Sequence, residues 1–75
     1  MKNLKLKEKI EYIVVCISEF ARRYKLSLPQ AFSYLKRHQG IDYLDKFYDV
    51  EHLFSLEDAV DDVAAICRKN GGQLV

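Results

Sequence analysis

Apolar residues recur along the chain at the three- and four-residue spacing of helices that bury one face. In the first segment the pattern lasts four turns, through Ile10, Ile13, Val14, Ile17, Phe20, Ala21 and Tyr24. We therefore predict a first helix that begins between residues 3 and 7 and ends near Tyr24.

A capping box predicts the start of the second helix. Ser27 is the expected N-cap, Pro29 lies in the first turn, and Gln30 is spaced to reach back to the cap. The predicted buried stripe of this helix is Leu28, Ala31, Phe32 and Leu35. We expect Gly40 to supply the left-handed C-cap.

A short third helix is predicted from Ile41 to about Phe47, with residues 49–54 as a short connection to the last helix. The apolar residues expected on its inner face are Ile41, Leu44, Phe47 and Tyr48. Because all the loops are short, successive helices must pack closely.

The last helix is marked at both ends. Ser55 is the expected N-cap, and Asn70 and Gly71 offer a left-handed stop. Acidic residues occupy the first half of the helix and basic residues its last turn, which the helix dipole favours.

These segments predict an all-α fold, a compact bundle of four helices with the third short. We expect one domain over residues 1–72 and a frayed tail at 73–75. One Pro and three Gly in 75 residues argue against a sheet-rich or disordered chain. The longest uncharged apolar run, residues 12–18, is far too short to cross a bilayer, and no secretion signal is recognised, so we expect a cytoplasmic protein.

The net charge is +1, but the charge is unevenly distributed. Residues 1–40 carry nine Lys or Arg and three Asp or Glu, a net +6, whereas residues 41–75 carry three and eight, a net −5. The plainest interpretation is that the two halves attract each other in the folded chain. A basic face for nucleic acid or an acidic partner is a second interpretation, and self-association of basic face on acidic face is a third.

Residues 26–48 have the length of a helix–turn–helix motif, whose second helix would span residues 40–49. That helix carries three Asp and one Lys, so DNA phosphates would repel it. The alternative function is therefore a nucleic-acid-associated regulator that uses a basic surface without base readout. The candidate residues are Arg22, Arg23, Lys25, Lys36 and Arg37. A solvated surface, on which their long side-chain stems cover apolar area, explains these residues more simply.

The preferred function is non-enzymatic binding to another protein. Nine aromatic residues are a high load for so small a core, and tyrosine is common at protein interfaces. The predicted partner-binding residues lie on the third helix and the connection after it: Tyr43, Asp45, Tyr48, Asp49, Glu51 and His52. Aromatics beside carboxylates suit docking onto a basic protein, and the segment from Tyr48 to His52 also suits a structural role that locks the last helix in place.

The sequence carries no catalytic motif, and we expect neither an enzyme nor a cofactor. Acidic residues near His52 lack the spacing of a metal site, and a solvated acidic helix face explains them more simply. Cys16 and Cys67 fall on apolar helix faces without Cys or His companions, so we expect buried, reduced thiols.

Several segments occur in the order of one known family: ISEFA at 17–21, SLPQAF at 27–32, GIDYL at 40–44 and YDVEH at 48–52, then the last helix over 55–72. The chain resembles a family of short bacterial proteins of unknown function, DUF3791, over most of residues 10–72. The resemblance implies a small cytoplasmic protein without known activity. It also implies an antitoxin-like or accessory role, because some members are associated with gene neighbourhoods that encode ADP-ribosyltransferase-like toxins. It provides no functional residues to transfer.

Overall fold

A computed structural model describes residues 2–73 of the chain, with side chains for residues 5–73. Over that range the chain forms five helices and no strand: α1 (Lys2–Tyr24), α2 (Leu28–Arg37), α3 (Gly40–Lys46), α4 (Tyr48–Glu51) and α5 (Leu56–Lys69). The all-α class is confirmed. The four predicted helices correspond to α1, α2, α3 and α5, while α4 is a single turn that begins at Tyr48 and overlaps the predicted connection. Residues 74 and 75 of the predicted tail lie outside the described range.

Both predicted N-caps are confirmed. The Ser27 hydroxyl accepts a 3.2 Å hydrogen bond from the Gln30 N–H, and the Gln30 side chain accepts one of 2.9 Å from the Ser27 N–H. The Ser55 hydroxyl accepts a 3.1 Å hydrogen bond from the Asp58 N–H. These bonds satisfy first-turn donors that have no partner within the helix.

The predicted left-handed stop of α5 is also confirmed. Gly71 has a φ of 92°, its N–H bonds to the Arg68 carbonyl at 3.2 Å, and the Gly72 N–H bonds to the Cys67 carbonyl at 2.8 Å. This pair of bonds is a Schellman motif. At the end of α1 the left-handed position is occupied by Lys25 instead of glycine, with a φ of 56°.

The predicted C-cap of the second helix is wrong. Gln39, with a φ of 72°, takes the left-handed conformation, and Gly40 is the first residue of α3. A Cβ atom on Gly40 would lie 2.8 Å from Leu35 Cδ2 and 3.0 Å from Cys67 Sγ. Glycine at this position therefore accommodates the close approach of α3 to Leu35 and Cys67, and not a positive φ.

The core lies where α1, α2, α3 and α5 meet. Its largest fully buried side chains are Phe20, Leu35, Leu44, Val60, Val63, Cys16 and Cys67. Both cysteines are free and buried, as predicted. Burial raises the pKa of both thiols, that of Cys67 to about 11. None of the helices described here combines the length and apolar composition needed to span a bilayer.

Several residues predicted to be buried are exposed. On α2, Ala31 and Leu35 are inaccessible, but Leu28 is 57% exposed and Phe32 44%. Ala31 and Leu35, four residues apart, point at the core, and Leu28 and Phe32 lie to one side of that line. Ile10 and Val14 of α1 and Phe47 after α3 are also exposed.

Candidate functional site

A row of exposed apolar side chains runs along the first half of α1. Leu6, Ile10 and Val14 follow one another at four-residue intervals, so they lie on one helix face, and each is more than half exposed. The same face continues as Ile17 and Ala21, which are half-buried and buried. α1 therefore carries one apolar face that is covered in its second half and open in its first.

α2 forms a second wall beside this row. Its Leu28 and Phe32 side chains, together with Val14 and Ile17 of α1, line a cavity of about 320 Å³. The apolar groove is the surface formed by Leu6, Ile10, Val14, Leu28 and Phe32. The groove has walls from both helices beside Val14, whereas its part at Leu6 and Ile10 is lined by α1 alone.

Charged side chains of both signs border the apolar groove. Lys7 and Glu11, one turn apart, line a cavity of about 320 Å³ at the end of the groove away from α2. Lys36 places its ammonium group 5.9 Å from the centre of the Phe32 ring. These three side chains carry a net charge of +1, which favours a binding segment with acidic flanks.

Three of the six predicted partner-binding residues face inward. Tyr48 is 8% exposed, Glu51 is 3% exposed and Tyr43 is half-buried. The spacing of Tyr48 and Glu51 places both on one side of α4, which is turned towards the rest of the domain. These side chains hold α4 in place and are not part of an open contact surface.

The other three residues are exposed but have contacts within the chain. Asp45 and Asp49 form ion pairs with lysines of α1, at N–O distances of 3.0 and 3.6 Å. The His52 ring stacks on Tyr48 with 4.5 Å between ring centres. The two ion pairs join the α3–α4 segment to α1, and the ring contact joins His52 to Tyr48 within the segment. Both kinds of contact agree with a structural role.

A cluster of buried polar groups lies where α4 meets its neighbours. The Tyr43 hydroxyl donates a 2.7 Å hydrogen bond to Glu51 Oε2. The Tyr12 hydroxyl and Glu51 Oε1 are buried without a partner in the part of the chain described. Burial raises the pKa of Glu51, the Tyr43 hydrogen bond opposes that shift, and neighbouring Asp62 raises the pKa further. Burial likewise raises the pKa of Tyr12, and that of Tyr43 to about 12.

The predicted nucleic-acid residues are only partly available for phosphate. Arg22 forms an ion pair with Glu19, and Arg23 forms one with Asp61 of α5. The other three, Lys25, Lys36 and Arg37, are exposed. Two of the five cations are thus already compensated within the chain, which weakens the basic surface expected from the net charge of residues 1–40.

A shallow acidic crevice lies on α5. Phe54, Asp58, Asp61 and Asp62 line about 280 Å³ there. Across residues 5–73, no group of three or more His, Cys, Asp or Glu side chains is arranged to hold a metal ion. The crevice therefore presents carboxylates to solvent but does not arrange them as the ligands of a metal ion.

The sequence does not reveal the apolar groove, because the helical periodicity assigns four of its five residues to the buried stripes of two helices: Ile10, Val14, Leu28 and Phe32. The lengths of the two helices indicate that part of α1 is left uncovered. At a rise of about 1.5 Å per residue, α1 is about 34 Å long and α2 about 15 Å. A helix as short as α2 leaves part of the apolar face of α1 uncovered.

Comparison with known proteins identifies the family. A family model described as protein of unknown function (DUF3791) matches residues 11–70, which is most of the chain. No curated protein and no solved structure matches the chain. The chain therefore belongs to the DUF3791 family.

Proposed function

We propose that this protein is a non-enzymatic protein–protein interaction module whose apolar groove binds a helix of another protein. The observation that carries this proposal is the exposure of the five apolar side chains of the groove, which ranges from 44% to 57%. Apolar surface in water costs about 25 cal/mol per Å², which a bound partner would recover. Contiguous exposed apolar surface of this kind commonly marks a binding site.

A helix suits the groove because the same face of α1 already packs against a helix. α2 packs on α1 and reaches as far as Val14, and Ile10 and Leu6 continue the face beyond it. A partner helix with apolar residues at four-residue intervals would extend this packing along α1. Acidic residues flanking its apolar stripe would face Lys7 and Lys36.

An antitoxin-like or accessory regulator is a more specific form of the same function. Such a protein acts by covering a surface of its cognate protein, and a groove that binds one helix is sufficient for that. The family resemblance supports the antitoxin-like or accessory role. The apolar groove supports the more general function of binding another protein.

Val14 and Val15 provide a matched pair of positions for the test. They are adjacent valines with exposures of 53% and 49%, and consecutive helix residues point about 100° apart. Val14 lines the groove and Val15 does not. Affinity capture from the native host with wild type, Val14→Asp and Val15→Asp should recover a partner that is lost only with Val14→Asp, while circular dichroism shows all three folded.

Equal loss of the partner in both variants, or its retention by Val14→Asp, would contradict the proposal. Dimerisation of the wild type that Val14→Asp abolishes in sedimentation would instead make a second copy of the chain the occupant of the groove. Binding that is sensitive to nuclease and weakens steeply with salt would favour the nucleic-acid alternative.

A further inference from the structure

A second exposed apolar surface lies outside the apolar groove, on and around α4. We call it the apolar ridge, and its side chains, which are 41–74% exposed, are Phe47, Val50, Leu53 and Phe54. Their spacing of three and four residues places them on one side of a helical segment. Four large apolar side chains exposed within eight residues are typical of a contact surface.

The backbone that carries the ridge is folded into successive helical turns. The Glu51 N–H bonds to the Phe47 carbonyl at 2.8 Å, and the Phe54 N–H bonds to the Glu51 carbonyl at 3.0 Å. The same segment turns Tyr48 and Glu51 inward, where both are buried. Because these two side chains fix which side faces the domain, the ridge is held towards solvent. A surface that is already folded loses little conformational entropy when a partner binds.

The ridge and the apolar groove are separate surfaces that share no residue. The α3–α4 segment is joined to α1 by ion pairs to Lys5 and Lys9. Each of these lysines directly precedes a groove residue, Leu6 or Ile10, and consecutive helix residues point about 100° apart. The segment therefore packs on a different face of α1 from the groove, and the function proposed for the groove leaves the ridge unexplained.

Carboxylates border the ridge. Residues 45–62 include six accessible Asp or Glu side chains and one Lys. Phe54 lines the acidic crevice together with Asp58, Asp61 and Asp62. Asp61 is paired with an arginine of α1, whereas Asp58 and Asp62 form no ion pair within residues 5–73. The lysine, Lys46, places its ammonium group 5.6 Å from the centre of a ridge ring. The surroundings of the ridge are therefore negatively charged on balance.

This charge determines which partner suits the ridge. The phosphates of nucleic acids and of anionic lipids would be repelled, whereas a basic polypeptide would be attracted. We propose that the apolar ridge is a second docking site, and that it binds a basic amphipathic segment of a protein through apolar side chains flanked by Lys or Arg. The groove favours acidic flanks, so a segment suited to one surface is unsuited to the other.

Two synthetic peptides distinguish the ridge from the groove. Both have Leu at the three- and four-residue spacing of one helix face, and their other positions are all Lys in the basic peptide and all Glu in the acidic peptide. In NMR titrations, the basic peptide should shift the signals of Val50 and Leu53, and the acidic peptide those of Ile10 and Val14. The response to the basic peptide tests the ridge alone, and the response to the acidic peptide tests the groove alone.

Matched variants test whether the apolar side chains of the ridge carry the binding. Leu53→Lys replaces the most exposed ridge side chain and repels the basic peptide, and we expect it to weaken binding by about tenfold or more. Val15→Lys adds the same charge at an exposed apolar position outside both surfaces and should bind as wild type does. Circular dichroism checks that both variants are folded.

A second pair of variants tests the contribution of charge. Asp58→Asn should weaken binding of the basic peptide by about two- to fivefold at low salt and by less as the salt concentration rises. Glu8→Gln removes the same charge at an exposed position of α1 that lines neither surface and should have no effect. Equal effects of these two variants would overturn the proposed role of the carboxylates beside the ridge.

Three further outcomes would overturn the proposal. The first is equal affinity of wild type and Leu53→Lys for the basic peptide, or peptide-induced shifts that lie outside the ridge. The second is self-association of the peptide-free protein that Leu53→Lys abolishes, because a second copy would then be the occupant. The third is binding to phosphatidylcholine vesicles that Leu53→Lys abolishes, because lipid would then be the occupant.

Discussion

The Tyr43 hydroxyl on α3 donates a 2.7 Å hydrogen bond to Oε2 of the buried Glu51 carboxyl on α4. Among the described side chains, the Tyr43 hydroxyl is the one donor to this carboxyl group, because Oε1 has no hydrogen-bond partner. The bond fixes the position of α4, and with it the buried ring of Tyr48, against the rest of the domain.

Removal of this donor should destabilise the fold. Tyr43→Phe leaves a buried acceptor unsatisfied, and we expect it to lower the free energy of unfolding by about 1–3 kcal/mol. Urea denaturation at constant pH measures the change. Tyr48→Phe is the matched control, because the Tyr48 hydroxyl forms no hydrogen bond to another residue of the described range. Equal losses in the two variants would show that the Tyr43–Glu51 bond contributes nothing specific.

Two leucines of α2 should respond differently to truncation. Leu35 is inaccessible and Leu28 is 57% exposed. We expect Leu35→Ala to cost about 2–5 kcal/mol, because it opens a cavity in the core, and Leu28→Ala to change stability by less than about 0.5 kcal/mol. Thermal or chemical unfolding distinguishes the two. Comparable losses would mean that Leu28 is buried in solution.

Gln39 should tolerate glycine with a gain in stability. Its φ of 72° is unfavourable for a residue with a Cβ atom and costs nothing for glycine. We expect Gln39→Gly to stabilise the protein by about 1 kcal/mol in urea denaturation. Ser33→Gly, at an exposed interior position of α2, should have the opposite sign, because glycine there only adds unfolded-state entropy. A loss of stability in Gln39→Gly would contradict the left-handed conformation at this position.

The two thiols should be protected in the folded protein. Cys16 and Cys67 are 1% and 0% exposed, and burial raises the pKa of Cys67 to about 11. At pH 8 only about one Cys67 thiol in a thousand would then be ionised, and the thiolate is the reactive form. We expect both cysteines to react with an aromatic disulfide reagent far more slowly than a peptide thiol, and to react rapidly in denaturant. Rapid modification of the native protein would contradict their burial.

The parts of the fold that depend only on residues close together in the sequence were predictable. The caps at Ser27 and Ser55 and the stop at Gly71 each follow from three to five consecutive residues, and the structure has all three. Gly40 was misassigned because two roles of glycine look alike in a sequence. A left-handed cap and a close helix approach both favour a residue without a Cβ atom, and only the packing of Leu35 and Cys67 distinguishes them.

The candidate site was less predictable for a tertiary reason. The apolar periodicity of α1 was evident, but the half that α2 covers depends on where the short α2 packs. The segment after α3 was selected for its aromatic and acidic composition, which does not reveal that Tyr48 and Glu51 turn inward on α4. Partner binding by the six residues selected between Tyr43 and His52 stays a prediction, and the exposed ones among them are Asp45, Asp49 and His52.

Methyl NMR of the isotope-labelled protein, with its captured partner added, is the most direct measurement of the central claim. Val14 and Val15 are adjacent in α1 and similarly exposed, and only Val14 lies in the apolar groove. We predict that the methyl signals of Ile10, Val14 and Leu28 shift on binding and show contacts to partner protons, while those of Val15 are unchanged. Shifts confined to Val15, or to the exposed residues after α3, would contradict a binding function for the apolar groove.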